Sequence, residues 1–110
     1  MSKFATKHPL PADTRDKVID ILHQRLNDTI DLQNQIKVAH WNVKGPRFYG
    51  LHQLFDEIYS KIVGYVDDIA ERIVSLGGLT EQTIQNVAKN TSLRPYPTEI
   101  TAGLQHVEAV

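Results

Sequence analysis

Cysteine is absent from the 110-residue sequence, and tryptophan and methionine occur once each. The missing cysteines exclude disulfides, thiolate metal sites and cysteine nucleophiles together, so any metal bound here takes nitrogen and oxygen ligands. No apolar run is long enough to span a bilayer, and the N-terminal stretch MSKFATKHPLPADT has no apolar segment resembling a secretory signal. A soluble, cytoplasmic protein is therefore expected. Charge of one sign is lacking too: 12 Lys and Arg face 13 Asp and Glu, a net charge of -1. No global field draws such a chain to nucleic acid or to an anionic membrane, and only Lys3 and Lys7 hint at a basic arm. Repeats, low-complexity tracts and linkers are also missing, so residues 1–110 read as one domain with a flexible arm over residues 1–12. A domain of this size buries roughly 60 to 70% of its unfolded surface.

What is present is helical periodicity. After an N-cap at Asp13 or Thr14, Val18, Leu22, Leu26, Ile30 and Ile36 recur in steps that keep one face apolar, and His40 falls on the same stripe. Gly45 suits a left-handed C-cap and Pro46 cannot continue the hydrogen bonding, so this helix stops near residues 42–44. A second helix runs from Phe48 to Leu76 on Leu51, Phe55, Ile58, Ile62, Val66, Ile69, Ile73 and Leu76, and Gly77-Gly78 ends it. Two helices of about thirty residues, each about 45 Å long, joined by a short turn must form an antiparallel hairpin. A short helix capped at Thr80 follows, then a turn at SLRPYP and another helix from Thr98. The fold class is all-α.

One residue after each core position of the second helix lies another series: His52, Asp56, Tyr59, Val63, Asp67, Ala70 and Val74. Glu71 follows Asp67 by one turn, so the two carboxylates point the same way and can share a cation. Acid pairs at this spacing are common on wet helix faces, and a single histidine is more often a core residue than a ligand. Position sharpens the choice. His40 precedes the turn and His52 follows it, so both lie at one end of the hairpin, whereas Asp67 is about 22 Å further along the axis. A twofold dimer in which the second helix packs antiparallel on its copy about Tyr59 and Ser60 sets position 52 of one chain opposite 67 of the other. Two equivalent sites then form, with histidines from one chain and acids from its partner. Iron, zinc, manganese and cobalt all suit that donor set. Trp41, beside His40, either fills the interface or passes an electron to an oxidant. His8, His23 and His106 match no ligand spacing and are assigned to the surface, and Asn90-Thr91-Ser92 is a chance sequon.

The stretches HWNVKGPRFYGLHQLFDE and DDIAERIVSLGG resemble the signature of the Dps proteins, the DNA-protecting mini-ferritins of starved bacteria, and SLRPYPTEI resembles the turn entering that family's third long helix. The resemblance implies a ferritin-like four-helix bundle. Of it this chain supplies the first two long helices, the short connecting helix and the start of the third, and ends before the bundle is complete. Two long helices alone expose apolar stripes that further helices or copies are expected to cover. The resemblance further implies a dodecameric shell built from twofold dimers, with an iron ferroxidase site at the dimer interface. The ligands map onto His40 and His52 of one chain and Asp67 and Glu71 of the other, with Asp56 as an additional ligand or second-metal contact and Trp41 as a radical-quenching neighbour. The implied reaction is oxidation of Fe(II), preferably by hydrogen peroxide, with ferric mineral stored in the cavity. Zinc or another divalent ion fits the same donors.

Two competing functions stand beside this one. A DNA-coating nucleoid protein would rely on counterion release by basic tails, for which Lys3 and Lys7 are a thin supply. An inert helical assembly fragment would bury both histidines without using them.

Overall fold

The computed structural model describes residues 10–110. Lys3, Lys7, His8 and most of the expected arm lie outside them. Two long helices, α1 (Ala12–Asn42) and α2 (Phe48–Ser75), form an antiparallel hairpin, followed by the short helices α3 (Ile84–Asn90) and α4 (Gly103–Ala109). The described residues contain no strand, only one isolated parallel bridge between Lys44 and Ala102. The all-α expectation holds, and the described chain is a rod 54 Å long.

The apolar stripes meet along the seam in two clusters. Near the turn, Ile36, Ala39, Val43, Phe55 and Ile62 are buried, with Leu32, Leu51, Ile58, Tyr59, Val66 and Tyr96 packed around them. At the far end Ile19, Leu26, Ile73 and Leu76 are buried against Leu10, Val18, Leu22, Ile30 and Ile69. Every expected core position of both helices is therefore in the seam. Burying such side chains is worth about 1.5–3 kcal/mol each, which holds two helices that would not persist alone.

Four boundaries differ from the sequence reading. α1 begins at Ala12, one residue inside the expected arm, behind Pro11 and with no side-chain cap. The extended Pro11 (φ -57°, ψ 151°) enters the helix unaided, and its carbonyl accepts the Arg15 amide at 2.9 Å. Asp13 instead lies in the first turn, where a negative charge favours the helix N-terminus. Gly45 is not the C-cap of α1. Val43 occupies that place in extended conformation, and Gly45 (φ +105°) serves the turn, its carbonyl accepting the Phe48 amide. The short helix starts at Thr83, whose hydroxyl caps the Asn86 amide at 3.3 Å, rather than at Thr80. The last helix starts at Gly103, not Thr98, because the preceding backbone is committed elsewhere: the Thr101 carbonyl accepts the Lys44 amide at 2.8 Å.

The Gly77-Gly78 stop behaves as expected. Gly77 takes φ +89°, its amide reaches the Val74 carbonyl and the Gly78 amide reaches that of Ile73, a Schellman closure.

Beyond α3 the chain returns along α1, gripped by a polar stripe at helical spacing. Gln24 donates to the Asn90 carbonyl and Gln35 to that of Arg94. Between them Asp28 accepts from both the amide and the hydroxyl of Ser92, and Asp31 accepts from the Thr91 hydroxyl. Burial pushes the Asp28 carboxyl up, but the hydrogen bonds from Ser92 and Gln24, with Arg25 adjacent, outweigh it and hold it below the usual range. Thr91 and Ser92 thus have structural work of their own.

Candidate metal centre

The last turns of α1 carry Lys37, His40 and Trp41, and the first turns of α2 carry His52 and Asp56. The short turn brings them together. The His40 and His52 imidazoles stack with centroids 3.7 Å apart at 20°. Each ring is oriented by the other residue's backbone: His40 Nδ1 donates to the His52 carbonyl at 2.6 Å, and His52 Nδ1 donates to the His40 carbonyl at 2.7 Å.

A carbonyl only accepts, so both Nδ1 atoms carry the proton and both Nε2 atoms present a lone pair. A metal-ligating histidine is prepared in the same way, with the second nitrogen held by a carbonyl or carboxylate. The helix end supplies the means. In a continuing helix the His40 carbonyl would accept the Lys44 amide, but that amide turns to Thr101, which leaves the carbonyl for His52. Phe48 packs against the outer side of the His52 ring at 5.1 Å.

Asp56, half-buried one turn beyond His52, is already engaged. The Lys37 ammonium lies 2.8 Å from its Oδ1 and 4.5 Å from the centre of the Tyr59 ring. That hydrogen bond, with the Lys37 charge and the two imidazoles, holds the Asp56 carboxyl below its ordinary value despite some desolvation. A cation seeking Asp56 competes with Lys37. The sequence reading missed Lys37, although its place three residues before His40 puts it on the same helix face.

Asp67 and Glu71 are not part of this cluster. Both are exposed on α2, far along the axis from His52, and neither makes a hydrogen bond or ion pair with a described residue. Among the described residues no three His, Asp or Glu side chains converge as a metal site would require. Trp41 beside the pair is 60% exposed, and Tyr49 and Tyr65 along α2 are 69% and 58% exposed. His23, expected at the surface, is half-buried and accepts from Gln82 at Nδ1. The other correction is His106, which is buried to 1% exposure, because Tyr96 and Phe55 close over it.

Comparison with known proteins identifies the family and the fold. Residues 19–109 match the ferritin-like domain family. The chain is 40% identical over its whole length to the DNA protection during starvation protein of Agrobacterium fabrum, covering 68% of it. It is 35% identical over 71% of its length to DNA protection during starvation protein 2 of Bacillus anthracis, covering 53% of that protein. Its fold superimposes on Mycobacterium smegmatis Dps with a TM-score of 0.90 and 32% identity, over 96% of this chain and 64% of that one. The chain thus spans between about half and two thirds of the length of these relatives. It is a member of the Dps group of ferritin-like proteins.

Proposed function

We infer that this chain is a ferroxidase subunit: it oxidises Fe(II), with hydrogen peroxide as oxidant, at a site shared by two copies, and delivers ferric iron to storage inside a dodecameric shell in the bacterial cytoplasm. The observation that carries the reading is the stacked histidine pair, whose reciprocal Nδ1–H bonds leave two Nε2 lone pairs free at the turn end of the hairpin. His40 and His52 hold ferrous iron, the substrate, from one side. Asp67 and Glu71 of a second copy supply the charge that neutralises it from the other, because α2 packed on itself about Tyr59 and Ser60 sets those positions opposite. Their exposure, with no hydrogen bond or ion pair to another described residue, suits that role. Asp56 joins as a further ligand when Lys37 releases it. Two ferrous ions lose one electron each to peroxide, which takes up two protons and leaves as two waters. Removing both reagents denies the cell hydroxyl radical, so DNA is spared without being coated.

The test is ferrous oxidation by peroxide, followed in the intact chain and in Asp67→Ala with Glu71→Ala. The double variant is expected to lose about a hundredfold in rate, and equal rates reject the reading. Mixing it with His40→Ala, His52→Ala subunits should restore part of the activity, since some interfaces then carry one complete site.

A further inference from the structure

His106 is buried at 1% exposure, and the ferroxidase reading makes no use of it. Its Nδ1 and the Tyr96 hydroxyl share a hydrogen bond of 2.5 Å, and its Nε2 is buried. The ring stacks on Tyr96 at 5.9 Å and meets the edge of Phe55 at 6.4 Å and 71°. Phe55 is itself buried, in the turn of α2 that follows His52.

The residues leading to His106 touch the same end of the hairpin. Thr101 takes the Lys44 amide and Ala102 pairs with Lys44. Gly103 lies so close to α2 that a Cβ there would stand 2.4 Å from Leu51 Cδ1. Leu51 immediately precedes His52. The segment therefore packs on Leu51, the residue before His52, and on Phe55, three residues after it, and diverts the amide that would otherwise occupy the His40 carbonyl. Without that diversion the carbonyl orienting His52 has a competing donor.

We propose that residues 101–106 form a brace that sets the tautomer and orientation of the His40–His52 pair, with His106 the positioning residue that anchors it through Tyr96 and Phe55. His106 touches no reacting group; it acts through Phe55 and through the backbone bond to Lys44. Its effect on iron rests on the ferroxidase reading, whereas its effect on the imidazoles does not.

The experiment is long-range proton–nitrogen NMR on the intact chain labelled at histidine, with ferrous oxidation by peroxide measured in parallel. In the parent protein His40 and His52 are expected as Nδ1–H tautomers. His106→Ala should return both toward the Nε2–H form and slow iron oxidation about tenfold. His106→Phe, which keeps a ring between Tyr96 and Phe55, should retain most of the tautomer pattern and rate. If His106→Ala keeps both Nδ1–H signals and the parent rate, the brace is refuted. Should that variant lose its helical circular dichroism, Gly103→Val is read instead: it pushes on Leu51 from the same side, and an unchanged tautomer pattern in that variant refutes the brace equally. Altered tautomers in variants of a parent that oxidises no iron would uphold the brace and overturn the ferroxidase reading alone.

Discussion

The turn end of the hairpin carries two candidate ligands facing each other across the two helices and the outer reach of α2 carries two on adjacent turns, yet only the first pair is built by its own chain. His40 and His52 stack and exchange hydrogen bonds with each other's backbone, with Phe48 against the His52 ring, whereas Asp67 and Glu71 stand exposed with no partner among the described residues. A neutral imidazole must be held in one tautomer and one rotation to be a ligand, and intrachain hydrogen bonds can do that before any partner arrives. A carboxylate needs less. Solvated, it costs little to keep ionised, and two on adjacent turns await a cation wherever the surface meets one. The orienting labour therefore falls on the nitrogen half.

The contrast is open to attack at decreasing scale. The largest expected effect is on folding. His52→Ala removes a stacked ring and its bond to the His40 carbonyl, and should lower the unfolding free energy by about 1–2 kcal/mol. Asp67→Ala and Glu71→Ala should leave it within about 0.5 kcal/mol when measured by urea titration of dilute protein. Similar losses at the two ends would mean that the acids too are held by the fold. Next comes Asp56, which sits between the two regions in character. Lys37→Met removes the ammonium that occupies it, so affinity for a probe ion such as Co(II), read by calorimetry, should rise about three- to tenfold. A fall would make Lys37 a partner in binding and not a competitor.

The smallest effect is with pH, and belongs to the turn end alone. Burial lowers the pKa of His106, only partly opposed by the Ile100 carbonyl, so the folded state favours the neutral ring. Its contribution is then fully present above the unfolded value near 6.5 and declines as the pH falls through that value toward the folded one. The slope for one proton is at most about 1.4 kcal/mol per pH unit. His106→Phe should flatten that decline in unfolding curves collected between pH 7 and pH 5, and an unchanged slope would assign it to other groups.

The long helices were readable because their signals are local and redundant. Gly45-Pro46 and Gly77-Gly78 punctuate the chain, and leucine and isoleucine recur at three and four between them. The same symmetry about the turn put His40 and His52 at one end. The start of α4 was not readable, since a long-range hydrogen bond decides it: Lys44 holds the backbone extended through Thr101, and no residue between Thr98 and Gly103 announces it; for α3, Thr80 and Thr83 offer the same capping chemistry, and the structure uses Thr83. His106 was assigned to the surface for a related reason. Gln105 before it and Glu108 two residues on are polar, and only Tyr96 and Phe55, ten and fifty-one positions away, enclose it. Lys37 was in plain sight but has no periodicity of its own; it gains meaning only when Asp56 folds against it.

The polar stripe Gln24, Asp28, Asp31 and Gln35 carries an evolutionary consequence. Because it reads backbone and hydroxyl groups from Asn90 to Arg94 one after another, the spacing of that stretch is tied to the pitch of α1. An inserted or deleted residue there would put the later contacts out of step, as a key miscut by one notch fails in every following ward. Natural variation in length should therefore gather before α3, around residues 79–82, and spare the four residues that follow Asn90.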